Sequence, residues 1–278
     1  GYSDLQKNII NIAKKKKLSI TIVDKNLKNI DIKKVKNFYK CNSKNSDRII
    51  KFLKKKKIDK GISYCGSDFG IKSYQKINKF LSKDYKDFKY IEINKINLKK
   101  KLYKTNVPLL SNLSILEAKK LVKKDKIIVK PANSSGSRGV SLASNNLELK
   151  DSIRKAKKFS KKIVIEKFIS GNGLDINGFI FKGKLIKCGA ADRFFSKGKY
   201  KFPISGIFPS MLDEKIIDKA YEYLEKAAVK MNYKIGPIKA DYIVKNKKLT
   251  LLEISTRFHG DVLTSNTNFY YSNQNPIN

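Results

Sequence analysis

The sequence lacks the features that define membrane, secreted and disulfide-rich proteins. No stretch approaches the ~20 consecutive apolar residues that a membrane-spanning helix needs. The apolar pair Ile9 and Ile10 runs into a cluster of lysines, which is not the pattern of a secretory signal peptide. Cys41, Cys65 and Cys188 are odd in number and widely spaced, which favours neither a disulfide framework nor a zinc site. We therefore expect a soluble cytoplasmic protein with no membrane partner.

Acidic residues and arginine are also scarce. Asp and Glu number 24 against 62 Lys and Arg, which gives a formal net charge of +38. Such a charge is typical of proteins that bind nucleic acids or anionic surfaces. However, the excess is spread along the whole chain, and only five of the basic residues are arginine, the residue that base readout and bidentate phosphate contacts favour. We therefore expect no specific nucleic-acid partner.

The length of 278 residues and a hydrophobic content of 41% suit two folded domains. In the first part of the chain, helix patterns alternate with strand patterns, which predicts a parallel α/β sheet. The predicted elements are helices over residues 1–13, 47–57 and 71–81 and strands over residues 18–23 and 61–64. A further strand before residue 1 would complete such a unit, so we expect that the sequence lacks its first strand.

After a helical hinge over residues 95–108, the pattern changes to pairs of strands. The predicted strands cover residues 126–131, 140–142, 163–168, 175–181, 184–189, 238–244 and 249–254, the predicted helices cover residues 147–159 and 214–231, and residues 192–209 are predicted to be irregular. This pattern is typical of an α+β arrangement in the second half of the chain.

One apolar strand ends in a lysine and is followed by a loop rich in glycine and serine. The strand at residues 127–129 leads to Lys130, and the loop covers residues 133–139. Such a loop offers backbone N–H and hydroxyl donors without bulky side chains, which suits the binding of phosphate oxygens. The loop lacks the Gly-Lys-Ser/Thr ending of a Walker loop, and an ordinary hairpin turn would explain the same pattern.

An acidic residue lies near the end of the next apolar strand. Glu166 in this position could accept a hydrogen bond from an adenine amino group, or it could simply cap the strand. Asp175, nine positions later, could bind ribose hydroxyls or merely begin the following strand. Both interpretations stay open for both residues.

Two carboxylates lie inside the last pair of predicted strands. Asp241 and Glu253 are flanked by apolar residues and are separated by a short turn, so antiparallel pairing would bring them side by side. Two buried carboxylates repel each other unless a cation lies between them, and Mg²⁺ prefers one or two carboxylates together with substrate phosphates. Arg257, one of the few arginines, could stabilise a phosphoryl group during transfer. A surface ion pair is the alternative interpretation.

The sequence gives weaker indications of function for two further residues. His259 is the sole histidine, and a structural role is more common for such a residue than proton transfer. Arg193 follows Asp192, and it either contacts a substrate or phosphate or forms a simple ion pair.

Taken in order, these segments resemble the ATP-grasp superfamily, in particular its carboxylate–amine ligase and carboxylase branch. The resemblance runs from the first residue to Asp261. It implies an α/β fold with an α+β second half, in which a Rossmann-like pre-ATP-grasp domain precedes a two-subdomain ATP-grasp fold. The implied boundaries are residues 1–93 for the first domain and 94–278 for the second, with a lid subdomain at about 109–167 and a C-terminal truncation.

The resemblance also implies a role for individual residues. Those implied to bind ATP are Lys95 and Lys130 at the phosphates, Ser134, Ser135, Gly136, Ser137 and Gly139 in a mobile phosphate loop, Glu166, Lys167 and Ile169 at the adenine, and Asp175 at the ribose. Those implied to bind Mg²⁺ or Mn²⁺ are Asp241, Glu253 and Ser255, and the implied catalytic residues are Arg257 and Arg193.

The sequence departs from the family pattern at the metal site. Members usually have Glu-x-Asn-Pro-Arg where this chain has Glu253 to Arg257 with Ser255 in the middle, so a hydroxyl replaces an amide that often binds the second metal. Asp241 stands where Glu is common and is one methylene shorter.

The resemblance implies an ATP-dependent ligase that joins a carboxylate to an amine through an acylphosphate. Its partners would be small-molecule acids and amines, with ATP and Mg²⁺ as cofactors. This chemistry needs no side-chain nucleophile, which agrees with the lack of a Ser/His/Asp or Cys/His pattern. The alternatives are an ATP-binding module without ligase activity and, on charge alone, a basic nucleic-acid-binding protein.

Overall fold

The computed structural model describes residues 4–26, 37–85, 94–134 and 136–260. The helices are α1 (Asp4–Lys15), α2 (Ser46–Lys55), α3 (Ile71–Leu81), α4 (Lys95–Leu102), α5 (Ile115–Leu121), α6 (Asn146–Lys157) and α7 (Glu214–Lys230). The strands are β1 (Thr21–Asp24), β2 (Asn37–Lys40), β3 (Ile127–Pro131), β4 (Ser141–Ala143), β5 (Ile163–Lys167), β6 (Asn172–Phe181), β7 (Lys184–Phe195), β8 (Pro203–Ile207), β9 (Gly236–Lys245) and β10 (Lys248–Ser255).

In the N-terminal segment (residues 4–85), the strands β1 and β2 pair in parallel, as the alternating pattern predicts. The helices α2 and α3 pack together around Ile49, Leu53 and Ile77. The predicted strand at residues 61–64 is wrong, because its backbone pairs with α3 instead of with a strand. The Asn78 side chain donates to the carbonyl of this stretch and accepts from its N–H, which replaces the ladder of a sheet.

The strands β4, β3 and β5 form an antiparallel sheet in that order. The helices α5 and α6 cover it, and their buried core includes Val122, Val129 and Leu149. The helix α5 begins with a capping box, in which Ser114 and Glu117 satisfy each other's backbone N–H groups. The loop between β3 and β4 carries the predicted phosphate-binding residues.

The strands β10, β9, β6, β7 and β8 form a second antiparallel sheet. The helices α4 and α7 contribute to the core that this sheet buries. The turn between β9 and β10 has positive φ at both Asn246 (49°) and Lys247 (60°), the requirement of a tight two-residue hairpin turn. The irregular segment expected at residues 192–209 is wrong, because β7 continues to Phe195 and β8 follows as an exposed edge strand.

The two larger sheets meet through the segment that precedes α5. Leu251 on β10 donates its N–H to the carbonyl of Pro108 at 2.8 Å, and Leu113 donates to the carbonyl of Ile165 on β5 at 2.8 Å. One short segment is therefore hydrogen-bonded to both sheets. This arrangement fixes a cleft between them, and the candidate site lies along that cleft.

Candidate active site

Three carboxylates lie in one row across the five-stranded sheet. Asp175 on β6 is directly opposite Asp241 on β9, and Asp241 is directly opposite Glu253 on β10. The two-residue turn alone would put Asp241 opposite Leu252, and a β-bulge between Leu251 and Glu253 shifts the register so that Asp241 lies opposite Glu253. Adjacent like charges destabilise a sheet, so this row needs cations close by.

Lys239 supplies the central cation of this row. Its Nζ lies 2.9 and 2.8 Å from the two carboxylate oxygens of Asp241 and 3.2 Å from Oε1 of Glu253. Burial alone would lower the pKa of Lys239, but the charges of Asp241 and Glu253 outweigh burial and raise it. Sequence analysis missed Lys239, although its position two residues before Asp241 puts both side chains on one face of the strand.

The same charges act on the two acids. Burial alone would raise the pKa of Asp241, but the charges of Lys239 and His259 lower it. Burial is likewise outweighed at Glu253, whose pKa is lowered by Lys239 and Lys95. Both carboxylates are therefore ionised at neutral pH and able to bind a cation.

Lys95 joins this row to the glycine- and serine-rich loop. It is the first residue of α4, which Asn94 caps by accepting from the N–H of Ile96 at 2.8 Å. The Nζ of Lys95 lies 3.0 Å from Oε2 of Glu253 and donates to the carbonyl of Ser134 at 3.0 Å. Three residues that sequence analysis selected from distant segments are thus in direct contact.

The other predicted phosphate lysine, Lys130, contacts Glu166. Its Nζ lies 2.8 Å from Oε2 of Glu166, and Lys99 contacts the other oxygen of that carboxylate. Burial lowers the pKa of Lys130 to about 7, with the charges of Lys95 and Lys99 adding to the effect, and burial lowers that of Lys99 to about 8. Sequence analysis missed Lys99, although it lies one helical turn after Lys95 and therefore on the same face of α4.

A cavity of about 340 Å³ opens between the two sheets beside these lysines. Its apolar wall comes from both sheets, and the chain that leaves β5 forms one side. Its lining includes Ile128, Lys130, Lys167, Phe168, Ile169, Arg193, Ile243 and Leu252. The predicted adenine residues Lys167 and Ile169 thus lie on the cavity wall, whereas the carboxylate of Glu166 is held by two lysines.

The loop between β3 and β4 has backbone geometry that a glycine permits. Gly139 has φ of 75°, and a Cβ atom there would lie 2.6 Å from the Phe159 ring and 2.9 Å from Pro131. Gly136 and Ser137 also have positive φ, of 65° and 56°. These angles make the loop tight. The carbonyl of Ser134 in this loop accepts a hydrogen bond from Lys95.

Another residue of that loop reaches the N-terminal segment. The guanidinium carbon of Arg138 lies 4.9 Å from the centre of the Phe69 ring, and Lys44 lies over the same ring. Ser135, which the resemblance includes in this loop, lies outside the described residues.

Asp175 is paired with Arg193, so two predicted site residues contact each other. The Nε and a terminal nitrogen of Arg193 lie 2.7 and 2.6 Å from Oδ2 of Asp175. Burial raises the pKa of Asp175 even so. Asp175 therefore belongs to the carboxylate row and is paired with Arg193. The ribose-binding role that the resemblance implies for Asp175 stays a prediction.

His259 lies against the other side of the row. Its backbone N–H and its Nδ1 both contact Oδ1 of Asn177, at 2.9 and 3.0 Å. Nε2 lies 2.7 Å from Asp241 and 3.5 Å from Asp175, so the ring adds a polar contact between two acids.

Ser255 and Arg257 converge on Asp68 of the N-terminal segment. The Ser255 hydroxyl donates to Oδ1 of Asp68 at 2.7 Å, and the guanidinium of Arg257 binds both carboxylate oxygens, at 2.7 and 2.6 Å. Burial alone would raise the pKa of Asp68, but the hydrogen bonds and charge of Arg257 lower it to about 2. Nothing in the sequence around Asp68 indicated this contact.

Comparison with known proteins identifies the family. The family profile described as an ATP-grasp domain matches residues 93–261, which is more than half of the chain. The chain therefore belongs to the ATP-grasp family, and the fold class expected from the resemblance is confirmed.

Individual relatives agree with this assignment. The D-alanine–D-alanine ligase of Wigglesworthia glossinidia brevipalpis is 31% identical over 135 residues, which cover 46% of this chain and 38% of that protein. The chain thus spans well under half of the length of this curated relative.

Solved structures share the fold at low sequence identity. The biotin carboxylase of Campylobacter jejuni has a TM-score of 0.77 at 18% identity and covers 100% of this chain and 68% of its own. The N5-carboxyaminoimidazole synthetase of Staphylococcus aureus has a TM-score of 0.74 at 15% identity and covers 97% of this chain and 71% of its own. Within the described residues, every helix is too short or too polar to cross a membrane.

Proposed function

We propose that this protein is an ATP-dependent ligase that joins a carboxylate to an amine through an acylphosphate. The observation that carries the proposal is the convergence of Lys95, Glu253 and the loop at Ser134, together with Asp241 directly opposite Glu253. A cationic group, two carboxylates and a glycine-rich loop are the parts that a metal-bound triphosphate requires. Family membership and the ligases among the relatives support the same function.

Residues 94–278 form the catalytic domain in this proposal. The lid subdomain at about 109–167 corresponds to the three-stranded sheet and its helices, which bury a core separate from that of the five-stranded sheet. Residues 1–93 form the preceding Rossmann-like domain. Residues 261–278 lie outside the described residues, as do 86–93.

The adenine would occupy the cavity between the two sheets. Ile128, Ile243 and Leu252 give it apolar walls, and the backbone of residues 167–169 runs along one side, where it can read the edge of a base. The Staphylococcus aureus synthetase of similar fold is described in complex with ADP, which supports an adenine nucleotide as the ligand. Glu166 then holds Lys130 and Lys99 toward the phosphates rather than binding the adenine itself.

The phosphates would lie between Lys95, Lys130 and the loop at 134–139. In the structure, the ammonium of Lys95 is shared between Glu253 and a loop carbonyl, both acceptors that a phosphate oxygen can replace. Lys130 is buried and next to other lysines, so an arriving anion relieves repulsion among them.

The donor set fits Mg²⁺, or Mn²⁺ in its place. Asp241 and Glu253 present adjacent carboxylate oxygens, which hard divalent cations prefer. The Oε2 of Glu253 contacts Lys95, which in turn binds the loop at Ser134. These two residues would hold the ion, with Ser255 as a further oxygen ligand. When bound, the ion would neutralise charge on the transferring phosphoryl group.

The reaction needs positioning and charge neutralisation rather than a side-chain nucleophile. An oxygen of the substrate carboxylate attacks the γ-phosphorus, the bond to ADP breaks, and an acylphosphate forms. The amine then attacks the acyl carbon, loses a proton and displaces phosphate. Lys95 and Lys130 would lie where negative charge accumulates. Arg193 and Arg257, whose guanidinium groups are held by Asp175 and Asp68, would add positive charge to the electrostatic field there.

We also propose a cytoplasmic location. All three cysteines are free thiols, which persist in reducing compartments.

The test is release of ADP and phosphate that depends on a carboxylate substrate and an amine. We expect Glu253→Gln to reduce this turnover by at least about 100-fold, because it removes a charged ligand from the site. Glu214→Gln, an exposed change at the start of α7, is the matched control and should leave turnover unchanged. Intact turnover in Glu253→Gln would contradict the assignment of Glu253. Nucleotide binding without phosphate release, over a broad panel of acids and amines, would favour the ATP-binding module instead.

A further inference from the structure

We propose that Asp68 is a positioning residue for the candidate metal site. It accepts a hydrogen bond from the Ser255 hydroxyl and so orients that group with its lone pairs free to bind a metal ion. This inference rests on the proposed function. It assigns a role in the site to the N-terminal segment, which lies outside the matched ATP-grasp region.

The sheet register puts Ser255 in the metal site. Ser255 follows Glu253 by two residues on β10, so both side chains lie on one face of the strand. Ser255 is directly opposite Lys239, and Glu253 is directly opposite Asp241. The hydroxyl is therefore one corner of a block of four polar side chains that includes both carboxylates.

The hydrogen bond to Asp68 fixes which way the hydroxyl proton points. A serine hydroxyl has one proton to donate and two lone pairs, whereas an ionised carboxylate can only accept. The Ser255 Oγ lies 2.7 Å from Oδ1 of Asp68, so the proton lies on that line. The lone pairs of Ser255 are then available to a cation.

Lys239, across the sheet, leaves this oxygen available. Its three short contacts all go to carboxylate oxygens, two on Asp241 and one on Glu253, which matches the three protons of an ammonium group.

Asp68 itself is firmly held. Arg257 binds both of its oxygens, and the short turn that carries Asp68 leads directly into α3. On α3, Tyr74 donates to the carbonyl of Thr256 and Gln75 donates to its hydroxyl at 3.1 Å. The helix therefore docks on the residue between Ser255 and Arg257, which keeps the carboxylate in register with both.

An amide at position 255 would not need this partner. An asparagine has a carbonyl oxygen that carries no proton, so it can bind a metal without an acceptor behind it. A serine gains from an acceptor that holds its proton away from the ion. The dependence on Asp68 is thus specific to serine, and this specificity separates a positioning role from a merely structural one.

The experiment counts bound Mn²⁺ by electron paramagnetic resonance in the presence of the β,γ-imido analogue of ATP. We expect two Mn²⁺ per wild-type chain, with the second bound about 10-fold or more weakly in Asp68→Ala and in Ser255→Ala, the usual cost of losing a group that orients a ligand. Ser255→Asn should bind two, and Asp68→Ala in that background should have no effect. Asp59→Ala, an exposed change in the same segment, is the control.

The outcomes separate this inference from the proposed function. Second-site affinity that is unchanged in Asp68→Ala, or lowered equally with serine and asparagine at position 255, overturns the inference alone. If Asp68→Ala does not fold, Asp68→Leu, which has a similar volume but accepts no hydrogen bond, is compared in the same two backgrounds, with the same expected result. A wild-type chain that does not bind the nucleotide refutes the proposed function and the inference with it.

Discussion

Replacing Lys239 by methionine removes the cation at the centre of the carboxylate row. Methionine preserves most of the volume of the side chain, so the change isolates the charge. In the protein, Lys239 is 3% exposed and makes three contacts of 2.8 to 3.2 Å to Asp241 and Glu253. Asp175 lies beside Asp241 in the same row, so the variant leaves three adjacent acids with less neutralising charge.

The expected cost follows from the removal of one partner from a buried ion pair. Such a change typically costs about 3–5 kcal/mol when the remaining charge is fully buried. The side chains of Asp241 and Glu253 are 27% and 23% exposed, so we expect the lower end of this range. At roughly 2–4 °C per kcal/mol for a chain of this size, the melting temperature of Lys239→Met should fall on the order of 10 °C.

A divalent cation should reverse part of this loss. Mg²⁺ can neutralise Asp241 and Glu253 in the variant, whereas in the wild type Lys239 already does so. Differential scanning fluorimetry with and without MgCl₂ measures both effects. Lys245→Met, an exposed change at the end of the same strand, is the matched control.

A melting temperature for Lys239→Met that matches the control would refute the view that Lys239 neutralises the row. A variant destabilised as expected, but with a melting temperature that does not rise with MgCl₂, would refute the view that the two carboxylates accept a cation.

Two further outcomes follow from the lysines and the loop. Burial lowers the pKa of Lys130 to about 7 and that of Lys99 to about 8, so both are partly neutral at pH 8, and a bound triphosphate should favour their charged forms. Nucleotide binding at pH 8 should therefore take up protons, seen as a calorimetric enthalpy that depends on the ionisation enthalpy of the buffer; this dependence should disappear at pH 6, and its absence at both values would contradict the assignment. Gly139→Ala places a Cβ atom 2.6 Å from a neighbouring ring at positive φ, so it should weaken nucleotide binding in calorimetry by more than Gly136→Ala, where φ is also positive but the space is open. Equal losses in the two variants would show that the close packing of Gly139 is unimportant.

The parts of the site that could be predicted from the sequence depend on local geometry. The Asn246 and Lys247 turn pairs β9 with β10 and so brings Asp241 close to Glu253. The two residues are directly opposite only because a β-bulge between Leu251 and Glu253 shifts the register by one residue, which the spacing did not indicate. Lys130 could be placed because it ends a short apolar strand next to a loop of small residues.

The remaining parts depend on contacts between distant segments. Asp68 meets Arg257 from 189 residues away, and no local pattern marks either partner for the other. Lys239 and Lys99 are two lysines in a chain that is full of them, so their selection requires knowing which ones are buried. The strand β8 was missed because Ile204 and Ile207 are exposed on a sheet edge, where apolar residues give no alternating pattern.

The docking of α3 on Thr256 has a practical consequence for dividing the gene. A fragment trimmed to the family-matching stretch that starts at residue 93 would leave out Tyr74 and Gln75 and would uncover Thr256, which is now fully buried. Such a fragment would also leave the Arg257 guanidinium without its acidic partner at the edge of the cleft. Expression boundaries that keep residues 37–85 attached preserve the surface on which the last strand of the catalytic sheet is seated.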